Sequence, residues 1–335
     1  MGGGAARAAR HALAHRPGER RAGGAALRRR AVVFKKSKPI NFIIVFFITL
    51  LAFINAKSKL VNEPVDVTYI FKQIGLFFFC FVSVLLVNFI VSKHSLTKKN
   101  SYEILLFSLF LLAITQTTAN TNILFANFFI LLSFRRIISL RSMITPEKKL
   151  FDAAFWIAVA SLFYFWSILF FIMIFAALFL YSVNNIKHWI IPFFGVAAVF
   201  VIAISISVIY NDNFFGIFKS FPEVSYDFNK YNTPQFLIAI TMLLSFGVWA
   251  SLFYIKAIKS KKKAFRPAFK IVFLAIVISF VTVFLAPNKD GSEFLFMFAP
   301  LAIIIANYIE TIQDKWFREL FLLTLITVPF IILFL

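Results

Sequence analysis

The chain is poor in the residues from which soluble catalytic sites and disulfide scaffolds are built. Its 335 residues include one cysteine, Cys80, four histidines and 14 acidic side chains against 35 basic ones. A single cysteine excludes an internal disulfide and a thiolate metal cluster, so Cys80, inside the apolar run Leu76 to Ile90, reads as a small buried apolar residue. Two histidines, His11 and His15, stand in an atypical N-terminal stretch, leaving His94 and His188, which are placed in separate loops. Two isolated histidines cannot hold the iron of a membrane oxygenase or desaturase. Gly-rich phosphate loops, Ser/His/Asp sets and paired cysteines are all missing as well.

Apolar side chains fill the space left. They make up 61% of the chain, 48 of them phenylalanine, and mean hydropathy is +0.87. Soluble domains stay near half apolar. The runs are too long and too uniform for barrel strands, and lipid-exposed backbone must satisfy its own hydrogen bonds. The fold class expected is all-α, a polytopic transmembrane helical bundle.

Residues 1–33 do not share this character. Met1 to Ala31 hold 10 Ala, 6 Gly and 8 Arg and no Phe. Codons for Ala, Gly and Arg are GC-rich, whereas Phe, Ile, Lys and Asn, dominant afterwards, have AT-rich ones. The switch points to a misassigned start or a disordered tail, without the apolar core of a signal peptide, and the domain proper is expected over 34–335. Formal charge is +21, of which the tail supplies +7. Nucleic acid is not the partner expected, because Lys and Arg collect in cytoplasmic loops of membrane proteins for reasons of insertion.

Eleven spans are expected, near 40–55, 73–91, 103–117, 122–134, 151–164, 166–182, 189–210, 235–255, 270–286, 294–309 and 319–335. Charge tests the division. With the N terminus cytoplasmic, the inner loops hold 18 Lys and Arg beyond the first span's start, and the outer segments hold six: Lys57, Lys59, Lys72, Lys219, Lys230 and Lys289. Reading Phe151 to Tyr181 as one span would put the loop "KAIKSKKKAFRPAFK" outside, so that run is divided around Tyr164–Trp166 and the chain is N-in, C-out. The bilayer is the first partner, and a bacterial inner (cytoplasmic) membrane the expected location.

The stretch "ILLSFRRIISLRS" (Ile130 to Ser142) ends an apolar run in Arg135 and Arg136, followed by Arg141. These arginines are read as ending a membrane helix and anchoring it. Their second reading is binding of a lipid phosphate, since guanidinium groups make paired contacts to phosphate. Glu103, Asp152 and Glu310 fall at interfaces, the first two heading helices. Gln116, Asn120, Asn122 and Asn127 mark either a polar cavity or a short re-entrant turn.

Acidic residues gather on the other side. Glu63, Asp66, Asp212, Glu223, Asp227, Asp290 and Glu293, seven of 14, lie in predicted outer loops. Insertion does not require this. Carboxylates from three outer loops, two of them "NDNFFGIFKSFPEVSYDFNKYNT" and "PNKDGSE", can converge as base and ligands or remain solvated.

From "FKKSKPINFII" (Phe34 to Ile44), through "LLSFRRIISLRS" and "KKLFDAAFWIAVASLFYFW", to "IIANYIETIQDKWFREL" (Ile304 to Leu320), the chain resembles an uncharacterised family of polytopic inner-membrane proteins of Bacteroidota. That resemblance carries no assigned chemistry. The order of spans and basic turn also resembles multispanning glycosyltransferases that use polyprenyl-phosphate sugars. This likeness implies a catalytic Asp or Glu in the first outer loop, at Glu63 or Asp66, with Lys57, Lys59 or Lys72 beside a lipid phosphate. The partner implied is an anionic or polyprenyl-linked lipid. The loop here, about 17 residues, is shorter than in such enzymes. A transporter or flippase and a non-enzymatic assembly scaffold are the alternatives. Internal repeats and a midplane row of acids, which transport favours, are not found.

Overall fold

In a computed structural model of the chain, residues 39–58, 66–98, 100–181, 185–214, 216 and 224–335 are described. Eleven α-helices and no strand run through them: α1 Pro39–Ser58, α2 Val67–His94, α3 Tyr102–Ala113, α4 Thr121–Ser139, α5 Pro146–Phe163, α6 Ile172–Leu180, α7 Ile186–Asn211, α8 Pro234–Ser260, α9 Arg266–Leu285, α10 Leu295–Thr311 and α11 Lys315–Phe334. Eight, α1, α2, α4 and α7 to α11, are long and apolar enough to cross a membrane. The chain is a multi-pass membrane protein. Its outward faces carry Phe47, Phe71, Phe78, Phe193 and Phe194, exposed as lipid-facing side chains are.

Three segments fall short of that description for separate reasons. α5 carries Glu147, Lys148, Lys149 and Asp152 in its first two turns. The 16 apolar residues Phe165–Leu180 begin as a 3-10 turn, Phe165–Phe171, because Tyr164 before it is extended at φ −143 and ψ 107. The run Phe151 to Tyr181 is thus divided at Tyr164, where the charge balance puts the break. α3 has 12 residues, about 18 Å at 1.5 Å per residue, against roughly 30 Å of hydrocarbon. A 3-10 turn, Thr115–Thr118, lengthens it, and its hydroxyls satisfy the turn's own carbonyls: Thr117 donates to Ile114 O at 2.6 Å and Thr118 to Thr115 O at 2.9 Å. Asn120 then caps α4, accepting from Asn122 N and Ile123 N. Asn120 therefore ends the turn between two helices, and Asn122 lies in the first turn of α4. Asn127 lies deeper, against a cavity of about 20 Å³ between α4, α9 and α10.

α3 and α10 form the centre. Every residue of α3 and every residue from Leu295 to Ile309 is buried. They run antiparallel, since Lys98 and Asn100 before α3 meet Glu310 at the end of α10, while Thr115–Thr118 packs on Ser292–Phe294. Phe107 and Phe110 both meet the Phe298 ring, at 6.2 and 5.7 Å between centroids. α1, α2 and α11 pack on α3, and α4, α8 and α9 on α10; α5 leans on α4, and α7 on α5. That last contact is close. A Cβ on Gly195 would stand 2.7 Å from Phe151 O, so only glycine lets the two backbones approach so near.

α10 contains Pro300, which cannot donate to the carbonyl of Phe296 one turn back. In hydrocarbon that oxygen would go unsatisfied. Ser279 of α9 offers the nearest hydroxyl, its Oγ lying 2.9 Å from Phe296 O and 2.7 Å from Ala275 O, so the two carbonyls share one proton. The mutual contact of α9 and α10 is therefore polar at its centre.

Contacts sort the loops into two ends. One holds residues 93–98, 100–101, 135–149, 187–188, 259–266 and 310, tied by Arg141 to His94 O, Glu147 to His188, and Glu310 to Lys98 N. The other holds 57, 119, 164, 226–233 and 284–294, tied by Lys57 to Ala119 O and by Tyr231 to Glu293. The first is the lysine- and arginine-rich end.

Four expectations need correction here. The arginines do not end α4, which runs on to Ser139 and then a 3-10 turn, Leu140–Ser142. Ile137, Ile138 and Leu140 are buried and Arg136 pairs with Asp152 at 2.8 Å, so packing carries the helix past its charges. Asp152 is six residues into α5 rather than at its head. Glu103 does head α3, but it is fully buried. His94 and His188 are helix-terminal residues rather than loop residues, and both are buried.

Candidate functional site

The end of the bundle opposite the arginines brings two of the three predicted outer loops together. Local hydrogen bonds shape each. In the first, Ser225 Oγ accepts from Asp227 N, Asp227 Oδ1 accepts from Asn229 N at 2.9 Å, and a 3-10 turn, Asn229–Tyr231, follows. In the second, Asp290 Oδ1 accepts from Ser292 N at 2.9 Å and from the Ser292 hydroxyl. Gly291 sits at φ +90, where a Cβ would be strained and would run into the Phe236 ring. Ser292–Phe294 then forms the 3-10 turn that starts α10.

Glu293 is the junction. It is wholly buried, and the Tyr231 hydroxyl donates to its Oε1. Its Oε2 is buried with no hydrogen-bond partner, and so is the Tyr164 hydroxyl. Tyr164 comes from the break between α5 and the 165–171 turn, stacks on Phe296 at 5.4 Å, and lies within electrostatic reach of Glu293 and Asp290. A buried polar atom left unbonded costs about 1–3 kcal/mol; both oxygens of Glu103 are bare as well, so it is the hydroxyl contact from Tyr231 between two acidic loops that sets Glu293 apart. Tyr231 packs on Phe228, Phe236 and Phe294.

Lys289 closes the same end. Only 2% exposed, it donates to Val283 O at 3.0 Å and Phe284 O at 2.5 Å and lies over the rings of Phe228 and Phe284. Burial holds its ammonium below the ordinary lysine range. It ends α9 and holds the 226–231 segment down through Phe228.

The residues expected from sequence are distributed differently. Glu63 and Lys59 lie outside the described residues, as does most of the loop from 215 to 223. Asp66 caps α2, its Oδ1 accepting from Val67 N at 2.7 Å. Lys57 donates to Ala119 O at 2.9 Å, and Lys72 is exposed on α2. Arg135, Arg136 and Arg141 sit together at the opposite end. Tyr164 and Tyr231 were not singled out. Nothing in an aromatic-rich sequence separates two tyrosines that meet a carboxyl from those that merely pack.

A family model described as a family of unknown function (DUF6427) matches residues 32–335. No curated protein and no solved structure matches the chain.

Proposed function

The chain belongs to this family of unknown function, and from its own geometry we propose that it acts on a lipid-linked sugar or related envelope precursor, with Glu293 as the acid–base group. One observation carries the reading: a buried carboxyl with one oxygen held by Tyr231 and the other bare, with the bare hydroxyl of Tyr164 within electrostatic reach. That arrangement suits a group that takes a proton from an acceptor hydroxyl while a second donor steadies the substrate. The Tyr231 bond fixes which oxygen is free. Tyr226–Tyr231 covers the carboxyl through Phe284 and Phe294, so a substrate reaches it only when that segment lifts. The distribution of Lys and Arg supports reading this end as the outer face of a bacterial inner membrane. Aromatic side chains around the segment, Tyr226, Phe228 and Phe284, offer surfaces for a sugar ring.

Glu63 and Asp66 remain carboxylates of the first outer loop, with Lys57, Lys59 and Lys72 as cations near a lipid phosphate. Asp66 is exposed and caps its own helix, whereas Glu293 is wholly buried between two loops, which favours Glu293 over it as the base. Complementation of a deletion strain separates them. Glu293→Gln keeps shape and loses the base, so growth or envelope glycan content should fall to the deletion level with normal protein abundance. Asp66→Asn should keep most function. Full complementation by Glu293→Gln refutes the proposal.

A further inference from the structure

We propose that the basic end of the bundle, opposite Glu293, holds a binding site for a phosphate-bearing anion, built from Lys93 and His94 at the end of α2, Arg135 in α4, Arg141 in the turn after it and Lys149 in the first turn of α5. This site is separate from the function proposed above and stands without it.

Four cations lie around one buried histidine. Arg141, Lys93, Lys149 and Arg135 all lie within electrostatic reach of His94. None has a carboxylate partner among the described residues, where the ion pairs are Arg136–Asp152 and His188–Glu147. Lys93 and Arg135 both lie over the Phe89 ring, 5.2 and 4.9 Å from its centre. Like charges drawn together repel, and an anion between them relieves that.

The cations are held, not merely present. Arg141 lies 4.0 Å from the centre of Phe265 and donates through Nη1 to His94 O at 3.3 Å. Lys149 donates to Ser139 O at 2.8 Å and to Ser142 Oγ at 2.6 Å. Each keeps N–H groups to spare, since a guanidinium has five and an ammonium three. Insertion into a membrane calls for positive charge on this side, but it does not call for that charge to be oriented by rings and carbonyls. His94 adds an independent sign. The residue is 6% exposed, and its Nε2 is buried with no hydrogen-bond partner.

Phosphate fits this donor set better than a carboxylate. The fork of a guanidinium matches two phosphate oxygens, and tetrahedral oxygens reach donors arriving from three helices. Phe89 is 41% exposed among lipid-facing residues, which places the cluster where headgroups lie. A phospholipid headgroup and a soluble phosphoanion share this chemistry, and an experiment distinguishes them.

The full chain, in a neutral detergent, is unfolded thermally against short-chain phosphatidylglycerol, phosphatidylcholine of the same chain length, and inorganic phosphate at matched ionic strength. Stabilisation by phosphatidylglycerol alone identifies a headgroup; stabilisation by inorganic phosphate as well identifies a soluble phosphoanion. In either case Arg135→Gln and Lys149→Gln should each weaken the response about tenfold, the loss of one charge-assisted contact. Lys93→Gln, at an exposed position, tests the same site without disturbing packing and should also weaken it. Lys256→Gln, outside the cluster, should leave it unchanged. Equal stabilisation by phosphatidylcholine, no stabilisation by either phosphate source, or an undiminished response in Arg135→Gln and Lys93→Gln overturns the site.

Discussion

Lys289 shows how this protein keeps a charge out of water. A buried ammonium is costly unless hydrogen-bonded, and Lys289 meets two carbonyls in the last turn of α9, where the helix is also negative. Lys289→Met keeps the apolar stem and removes both bonds, so thermal stability should drop by about 2 kcal/mol. The pH dependence has a definite sign. The folded protein holds this lysine below its ordinary 10.5, so between the lowered folded value and 10.5 the unfolded chain binds more protons. Stability therefore rises with pH across that window, and the rise should be absent from Lys289→Met. A variant with the wild-type slope would show that another group titrates there. The same residue lay in the motif "PNKDGSE", read for its acids. Its burial depends on Phe228, 61 positions earlier, and no local pattern announces that contact.

Helices were legible where a single property decides them. Long apolar runs become α1, α2 and α7 to α11 because hydrocarbon leaves backbone no other partner. The break at Tyr164 was legible through charge balance. Helix ends were not, where a buried partner outweighs a local signal. α4 passes two arginines because Arg136 finds Asp152 and because Ile137 and Ile138 have a core to enter. Glu103 read as an interfacial helix start, yet α3 is buried along its whole length. The α9–α10 contact allows a sharper test. Ser279→Ala removes the hydroxyl that Phe296 O shares with Ala275 O next to Pro300, which should cost about 1 kcal/mol. Pro300→Ala restores the main-chain donor, so the double variant should recover most of the loss. Denaturation of the four proteins in detergent measures the coupling.

The whole bundle has a polarity: one end rich in Lys and Arg, the other carrying Glu293, Asp290 and Asp227. Which end faces the cytoplasm is a matter of insertion, and the positive-inside rule assigns the basic end to it. In a Cys80→Ala background, Asn229→Cys and Lys262→Cys place single thiols at exposed positions of opposite ends. A membrane-impermeant maleimide added to intact spheroplasts should label Asn229→Cys and spare Lys262→Cys. The inverse pattern would exchange the two faces and remove Glu293 from the outer one. The convergence of two acidic loops on Glu293 was open from sequence, since residues 231 and 293 are joined only by the crossing of α8, α9 and the turn before α10.

Pro300 and Ser279 carry a consequence for descent as well as for folding. A proline in a buried membrane helix is tolerated only while some neighbour offers a hydroxyl or other donor to the carbonyl it strands. The two positions are then inherited as a pair. Across the family, chains with proline at the position of Pro300 should keep serine or threonine at that of Ser279, and those that have lost the proline should be free to drift to alanine there. Frequent proline opposite an aliphatic residue would mean that lineages have found another donor, and the order of substitution on a family tree would show which came first.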